Sequence, residues 1–400
     1  MTTTINNEHK KLNVPNLRFP EFQGEWEKRR LEECVEFLDG LRKPIKSEDR
    51  KNEQGLYPYY GASGIIDYID GYIFDGEYIL LSEDGANIID RNYRVAFIAK
   101  GKIWVNNHAH VLQPYDGFDI NFLSETLERL NYAVYNTGTT MPKLNQEVCR
   151  NINLKIPTTK EQNKIGNLLS LLNERISTQN KIIDKLQSLI KGIADNILDN
   201  PLWKKTYLRS FMQFFSTNSL SWEQLSYEEG EIRNLHYGLI HGFFTSGIKS
   251  YSLPMVKYGE MPKQYTLCQV GDVAFADASE DTDEIGKSVE FVDTIKGDTI
   301  CGLHTIHGRD IKNRTVVGFK GFAFNSRYFH NQIKRLAQGT KVFSITANNL
   351  SSCYVYLPDF DTQKAIVKLL KAYEEKLLVS KRLLEQYEKQ KQYLLRQMFI

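Results

Sequence analysis

The sequence has no long hydrophobic run. Its longest apolar stretches, such as residues 78–81, are far shorter than the roughly 18 residues that a membrane-spanning helix requires. Residues 1–7 also lack the basic segment and the apolar core that a secretory signal combines. We therefore expect a cytoplasmic protein that has no membrane partner.

Cysteine is scarce, and neither sign of charge predominates. The five cysteines of the 400-residue chain lie far apart, without the Cys-x-x-Cys spacing of structural zinc sites and redox motifs. We therefore expect reduced thiols in a protein core. Lys and Arg number 51 against 49 Asp and Glu, which gives a net charge of +2. Any nucleic-acid site must come from a local patch of the surface.

Recognisable catalytic motifs are also missing. The sequence contains no Walker A loop, no Gly-x-Ser-x-Gly elbow and no His-Glu-x-x-His pair. Asn200 begins a tetrapeptide, Asn-Pro-Leu-Trp, that is similar to the Asn-Pro-Pro-aromatic motif of amino-methyltransferases, but the second proline and a glycine-rich cofactor loop are absent. Asp298 with Asp310 and Lys312 only loosely matches a metal-dependent nuclease. We predict a binding protein and not an enzyme.

The histidines form no recognisable metal signature in the sequence. His108 and His110 have the i, i+2 spacing that places two side chains on one face of a strand, but no carboxylate or cysteine completes a known pattern. We expect structural or hydrogen-bonding roles for these two residues and for His304, His307 and His330. We therefore predict no metal in this chain.

An internal repeat organises the chain. Residues 138–198 align with residues 339–399 without a gap, at a constant offset of 201. Weaker similarities upstream, such as Leu31 with Leu208, need other offsets, so insertions separate the two copies there. A repeat of this length predicts two similar halves, each of which ends in a helical tail.

The two tails carry the sharpest periodicity in the sequence. Apolar residues recur in alternating steps of three and four, as in a coiled coil, with one polar seam position in each tail and a further lapse at Lys391. We predict two long helices that pair antiparallel, with Gln179 and Ser380 meeting near the middle. The alternative is that each helix packs on its own domain. The predicted seam consists of Ile165, Leu169, Leu172, Ile176, Gln179, Ile183 and Leu186 in the first tail and of Ile366, Leu370, Tyr373, Leu377, Ser380 and Leu384 in the second.

Short β-strands dominate the two globular parts. Residues 20–150 and 203–355 alternate short apolar and aromatic runs with Gly and Asp turns, and brief helices are expected near residues 121–135 and 326–337. The predicted fold class is therefore α+β. Two similar β-rich domains are joined by two long antiparallel coiled-coil helices, in a pseudo-twofold internal repeat.

Three motifs and the repeated layout together point to a known family. The motifs are Val-Pro-Asn-Leu-Arg-Phe-Pro-Glu-Phe at residues 14–22, Tyr-Gly-Ala-Ser-Gly at residues 60–64 and Gly-Thr-Thr-Met-Pro-Lys-Leu at residues 138–144. In these features, and over nearly its whole length, the sequence resembles the specificity subunits of type I restriction-modification systems. The resemblance implies two target-recognition domains, each of which reads one half of a split double-stranded DNA sequence. It also implies that the helices bind two methyltransferase subunits.

The resemblance also implies where the domains end and where the chemistry lies. The first target-recognition domain is expected over residues 1–157 and its helix over 158–200, and the second domain over 201–358 with its helix over 359–400. S-adenosylmethionine, ATP and magnesium are expected in the partner methyltransferase and restriction (translocase) subunits, and no cofactor in this chain. Two other interpretations stay open. One is a DNA methyltransferase or nuclease that acts alone, with Asn200 or Asp310 in its site, and the other is a coiled-coil scaffold that does not bind DNA.

Polar and basic residues near predicted turns are the expected DNA contacts. The second copy departs from the first at the most distinctive motif, because it has Lys-Val-Phe-Ser at residues 341–344 where the first has Thr-Met-Pro-Lys at residues 140–143. The predicted DNA-binding residues are Tyr60, Ser63, Arg91, Asn92, Lys102, Asn107, Thr140 and Lys143 in the first half and Thr245, Lys249, Arg335 and Lys341 in the second.

Overall fold

The protein forms two compact units. The computed structural model describes residues 13–50, 54–242, 246–249, 252–293 and 299–400. The first unit contains the described residues up to Asn180 together with Leu383–Ile400, and the second contains those from Lys181 to Arg382. Within the described ranges, no helix combines the length and the apolar character needed to cross a membrane.

A sheet buried on both faces forms the centre of the first unit. The strands of the unit are β1 Glu27–Arg30, β2 Val35–Phe37, β3 Gln54–Gly61, β4 Gly64–Ile69, β5 Phe74–Ser82, β6 Ala96–Val105, β7 Ala109–Pro114 and β8 Asn153–Ile156, of which β1 and β8 pair separately from the main sheet. The helices of the unit are α1 Ser47–Arg50, α2 Asn87–Asp90, α3 Ile120–Glu128, α4 Gln146–Arg150 and the start of α5 Thr159–Leu198. The six-stranded sheet has the order β2-β7-β5-β6-β3-β4, in which only β3 and β6 run parallel. Ile79 and Leu81 of β5 join one core and Leu80 joins another, because successive side chains on a strand point to opposite faces.

The second unit has the same plan with more strands. Its strands are β9 Lys204–Tyr207, β10 Met212–Phe215, β11 Leu225–Ser226, β12 Arg233–Leu235, β13 Gly247–Lys249, β14 Met255–Val256, β15 Val273–Ala276, β16 Ala278–Ser279, β17 Ser288–Asp293, β18 Thr299–Cys301, β19 Thr305–Asp310, β20 Phe343–Ser344 and β21 Tyr354–Leu357, and its helices are α6 Tyr237–Gly242, α7 Phe319–Ala323, α8 Arg327–Leu336, α9 Ala347–Ser352 and most of α10 Phe360–Gln397. The main sheet has the order β10-β19-β15-β17-β13. Phe275 of β15 faces one core and Ala274 another, as on β5.

The internal repeat is visible as matching hydrogen bonds. Near the start of α5, the Gln162 side-chain amide donates to the Pro157 carbonyl at 2.9 Å, and near the start of α10 that of Gln363 donates to the Pro358 carbonyl at 3.0 Å. The upstream similarity, which needs another offset, is matched by backbone hydrogen bonds of 2.9 Å from Leu31 to Ile152 and from Leu208 to Cys353. The predicted fold class, two similar β-rich domains with two long helices, is confirmed.

Within each unit the two long helices run antiparallel. In the first unit, Asn173 of α5 and Lys391 near the end of α10 both donate to the Glu125 carboxylate. The Phe399 ring, just beyond α10, packs against Trp26, whose indole donates to Glu161 near the start of α5. In the second unit, the cluster that contains Leu198 near the end of α5 also contains Ile366 and Leu370 near the start of α10, as expected for antiparallel helices.

The predicted seam is the buried stripe of each helix. Five of its seven positions on α5 are buried, namely Ile165, Leu169, Leu172, Gln179 and Ile183, while Ile176 and Leu186 are half-buried. On α10, Ile366, Leu370 and Leu377 are buried, and Tyr373, Ser380 and Leu384 are half-buried. Lys391, which interrupts the pattern, lies 3.2 Å from Glu125 in a mostly buried ion pair. The meeting of Gln179 with Ser380 stays a prediction.

A tight turn recurs at equivalent positions of the two units and depends on glycine. A Cβ atom on Gly138 would lie 1.8 Å from the Met141 carbonyl oxygen, and one on Gly339 would lie 1.9 Å from that of Val342.

We expect Gly138→Ala to lower the free energy of unfolding by about 1–3 kcal/mol, because the turn must open to admit the methyl group. Chemical denaturation measures this change. Gly192→Ala in α5 is the control. Nothing lies within 4 Å of its Cβ position, so it should stabilise the helix by about 0.5–1 kcal/mol. Equal effects of the two changes would contradict the prediction.

Candidate nucleic-acid interface

Four chain segments of the first unit meet at one surface, the first loop surface: residues 60–64, 83–85, 106–108 and 136–144. The Ser82 hydroxyl donates to the Ala62 carbonyl at 2.6 Å, which joins the end of β5 to the β3–β4 turn. The Glu83 amide donates to the His108 carbonyl at 2.8 Å, and the Leu144 amide donates to the Glu83 carbonyl at 2.7 Å. The segment after β5 therefore lies between the other loops and fixes their positions.

The first loop surface brings together five of the eight DNA contacts predicted in this half. Ser63, Asn107 and Thr140 are exposed in its loops. Tyr60 is half-buried, and its ring lies 6.1 Å from that of Phe97. Lys143 is exposed, with its ammonium 3.5 Å from the Glu83 carboxylate. The surface thus offers amide, hydroxyl and ammonium donors, which suit phosphates and base edges.

The other three predicted residues of this half lie outside these loops. Arg91 ends α2 in the left-handed conformation (φ 57°), donates to the Glu128 carbonyl and carboxylate, and packs over the Tyr132 ring. Its guanidinium therefore serves the fold of the unit. Asn92 is exposed in the turn that follows. Lys102 is exposed on β6, with its ammonium 4.7 Å from the centre of the Tyr72 ring.

A buried charge network lies beneath the first loop surface. His110 donates from Nδ1 to Asp39 at 2.6 Å and from Nε2 to the Leu144 carbonyl at 2.8 Å, so both ring nitrogens carry protons. Burial disfavours the charged ring, but the hydrogen bonds to Asp39 and Cys149 outweigh burial and raise the pKa of His110 to about 10. Arg42 adds a 2.7 Å ion pair to Glu83. This network was not predicted from the sequence, because Glu83 and His110 lie far along the chain from Asp39 and Arg42.

The second unit has an equivalent surface, the second loop surface: residues 277–279, 302–304 and 338–345. The Asp277 amide donates to the His304 carbonyl at 3.1 Å, and the Ile345 amide donates to the Asp277 carbonyl at 2.9 Å. These bonds repeat those made around Glu83. Of the residues predicted to contact DNA, Lys341 is exposed in this surface.

The remaining predictions for the second half fall elsewhere. Lys249 is exposed on β13 and Arg335 on α8, while Thr245 lies outside the described residues. An aromatic stack close to His304 was not predicted. The His236 ring lies 4.5 Å from that of Trp222 and 4.7 Å from that of Tyr237, and the Tyr237 ring lies 5.3 Å from that of His304. These residues are separated in the sequence from the motifs that carried the predictions.

Two clusters in the described residues have the composition of metal ligands. The first cluster consists of Asp39, Glu83 and His110. Both ring nitrogens of His110 are used in hydrogen bonds, and Arg42 forms ion pairs with both carboxylates, so the cluster is a charge network and not a set of free ligands. In the other cluster, the Sγ atoms of Cys268 and Cys301 lie 3.5 Å apart near His307, which bonds to Asp272. All five cysteines are buried and free, as predicted.

The residues considered as catalytic candidates belong to local turns. The Asn200 side-chain oxygen accepts from the Leu202 amide at 3.1 Å. The Asp310 carboxylate accepts from the amides of Lys312, Arg314 and Thr315. Asp298 lies outside the described residues. Both described side chains therefore have structural partners.

Comparisons with known proteins agree with the architecture. Residues 23–188 match the model of the type I restriction modification DNA specificity domain. The MjaVIII type I restriction enzyme specificity subunit of Methanocaldococcus jannaschii is 24% identical over 94% of this chain and 91% of its own. A Haemophilus influenzae protein named as a type I restriction enzyme specificity subunit is 35% identical over 148 residues, and the match spans 37% of each chain. The S subunit structure from M. genitalium has a TM-score of 0.64 at 16% identity, covering 97% of this chain and 99% of that one.

Proposed function

We propose that this chain is a specificity subunit of a type I restriction-modification system, as its matches to that family support, and that each of its units reads one half of a split double-stranded DNA target. The long helices bind two methyltransferase subunits. The members of this family are recognition subunits and not catalysts, so the prediction that the chain is not an enzyme is confirmed. S-adenosylmethionine, ATP and magnesium then act in the partner subunits.

The observation that carries the proposal is one loop frame with two different sets of side chains. Glu83 and Asp277 make the same backbone hydrogen bonds in the two loop surfaces. One equivalent exposed position of this loop, at the offset of 201, is Thr140 in the first unit and Lys341 in the second. Base readout depends on the side chains that a fixed backbone presents to the grooves. Two equivalent frames with different side chains therefore suit a target whose half-sites differ.

The predicted contact residues divide by the kind of contact they suit. Lys143, Lys102 and Lys341 are exposed cations that suit phosphates, and Ser63, Asn107 and Thr140 are short polar groups that suit base edges. Tyr60, Asn92, Lys249, Arg335 and Thr245 stay in the proposal as contacts of either kind. Arg91 has the weakest case, because its guanidinium is paired with Glu128.

The partner-binding part of the proposal rests on exposed apolar residues of the long helices. These residues are separate from the buried seam, and exposed apolar side chains on a helix can be covered by a protein partner. They are Leu171, Ile182 and Leu189 on α5 and Leu369, Val379 and Leu383 on α10. Ile182 and Leu383 are equivalent at the offset of 201. Two similar surfaces on one chain suit two copies of the same partner.

Methylation mapping tests the proposal. The chain should be co-expressed with its cognate methyltransferase subunit, and genomic DNA should be sequenced for modified adenines with and without the chain. We expect a split motif that requires the chain, and a purified complex whose mass, by native mass spectrometry, contains two methyltransferase subunits. The same motif without the chain, or a short continuous motif, would contradict the DNA-reading role. A complex with one methyltransferase subunit would contradict the docking of two.

A further inference from the structure

We infer that His108 and His304 are equivalent base-contacting residues of the two units, each oriented by an aspartate. The inference rests on the proposed function and deepens it, because it names one specificity-determining position for each half-site. The ligand is double-stranded DNA, and the group recognised is an exocyclic amino group on a base edge. Neither residue was among the DNA contacts predicted from the sequence.

His108 is held in the first loop surface by a carboxylate and by the backbone. Its Nδ1 lies 2.9 Å from both oxygens of Asp84. Its amide donates to the side-chain oxygen of the buried Asn106 at 2.8 Å, and its carbonyl accepts from the Glu83 amide at 2.8 Å. The side chain is still 49% exposed. The imidazole is therefore fixed in orientation while part of it faces solvent.

His304 has the same arrangement in the second loop surface. Its Nδ1 lies 3.1 Å from the Asp277 carboxylate, its carbonyl accepts from the Asp277 amide at 3.1 Å, and its side chain is 50% exposed. Its backbone is left-handed, with φ at 53°. A histidine in this conformation is strained, and such strain persists where the surrounding structure holds it, often at functional sites.

The two histidines occupy equivalent positions although the constant offset does not align them. Each immediately precedes a strand that pairs with the central strand of its unit. His108 precedes β7, in which Ala109 pairs with Ser82 of β5, and His304 precedes β19, in which Thr305 pairs with Ala276 of β15. The carboxylate comes from different positions, however. Asp277 makes the backbone bonds that Glu83 makes, whereas the partner of His108 is the next residue, Asp84. The same exposed pair is thus built from two different local sequences.

The geometry determines what such a histidine can read. In each pair the aspartate lies against Nδ1, so Nε2 is the ring nitrogen left for a base edge, and in the tautomer that carries its proton on Nδ1 this nitrogen is an acceptor. Phosphate oxygens offer no donor to this nitrogen. The exocyclic amino groups of adenine and cytosine are donors in the major groove. His108 lies beside Asn107, and His304 lies beside the aromatic stack that includes Tyr237, so both are surrounded by groups suited to a base edge.

Single substitutions test the inference in the complete complex. His108→Ala and His304→Ala should each be co-expressed with the methyltransferase subunit and their modified motifs sequenced. We expect His108→Ala to relax one position of one half-site and to weaken binding to the cognate duplex about 10- to 100-fold, as the loss of one base contact predicts. The other half-site should keep its sequence. His304→Ala should give the reciprocal result, so each variant is the control for the other.

The aspartates and a distant histidine complete the design. Asp84→Asn should relax the same position as His108→Ala, by a smaller factor, and the double variant should be no weaker than His108→Ala alone. A purely structural role would not produce this coupling. His330→Gln on α8, whose ring bonds to the Thr282 carbonyl, should leave both half-sites unchanged. Should an alanine variant fail to assemble, the conservative His108→Gln and His304→Gln variants replace it.

The outcomes separate the inference from the proposed function. If the unmodified chain directs a split motif and the assembled His108 and His304 variants keep both half-sites at full affinity, the inference is wrong and the function stands. If the unmodified chain directs no split motif, the proposed function fails first.

Discussion

Replacing Glu161 with alanine should lower the free energy of unfolding of the first unit by about 3–5 kcal/mol, the cost typical of breaking a buried ion pair. Glu161 is fully buried at the start of α5, and both of its carboxylate oxygens accept from Arg18 at 2.7 Å. The hydrogen bond to Glu161 outweighs burial and raises the pKa of Arg18. The Trp26 indole also donates to this carboxylate. Denaturant unfolding, with hydrogen exchange of residues 17–26, measures the loss.

The internal repeat supplies a matched control for Glu161. Thr362 occupies the equivalent position of the second copy, where its amide and hydroxyl donate to the exposed Asp359 carboxylate just before α10. Thr362→Ala should cost less than about 1 kcal/mol, since no buried charge loses its partner. The loss of unfolding free energy caused by Glu161→Gln should lie between those of Glu161→Ala and Thr362→Ala, because the glutamine amide keeps part of the hydrogen bonding. Losses of the same size at positions 161 and 362 would show that the ion pair does not stabilise the unit.

The stability of the first unit should also fall as the pH rises from about 6.5 to about 10, by about 3–5 kcal/mol. The pKa of His110 is raised to about 10 in the folded unit, against 6.5 for the unperturbed group. Below pH 6.5 the folded and unfolded states both hold the proton, and the contribution of His110 is fully present. Above it the unfolded chain releases the proton first, so stability is lost until the folded ring also titrates.

Substitutions at the His110 pair identify the source of this pH dependence. His110→Gln should remove most of the slope between pH 6.5 and 10 while lowering stability at pH 6. Asp39→Asn, which removes the partner carboxylate, should also reduce the slope, and it serves as the test if His110→Gln does not fold. Thermal or denaturant unfolding across the pH range provides the measurement. An unchanged slope in both variants would assign the pH dependence to other groups.

The helices were predictable because their burial is periodic. The seam from Ile165 to Ile183 alternates in steps that only a helix places on one face, and the structure buries most of these positions. The lapse at Lys391 is explained by its ion pair with Glu125, and that partner does not follow from the pattern. Glu125 lies 266 residues earlier in the chain, so only the tertiary fold brings the two charges together.

The candidate contact residues were predictable in part. Ser63, Asn107, Thr140 and Lys143 were predicted because turns place small and polar residues at loop tips, and the structure brings these loops together. Arg91 was interpreted in the same way, although its side chain folds back onto Glu128. A basic residue in a loop has the same local sequence whether its partner is a phosphate or a carboxylate of the same chain.

The sequence by itself determined the repeat, the two helical tails, the β-rich halves and the resemblance to a family, because these depend on periodicity and motifs that can be read along the chain. The tertiary structure decided which loops meet, which charges are buried, and that His108 and His304 occupy equivalent exposed positions beside aspartates. The physical reason is how far along the chain each kind of interaction acts. Hydrophobic period and turn preference act within a few residues, whereas the loop surfaces and the ion pairs join residues tens to hundreds of positions apart.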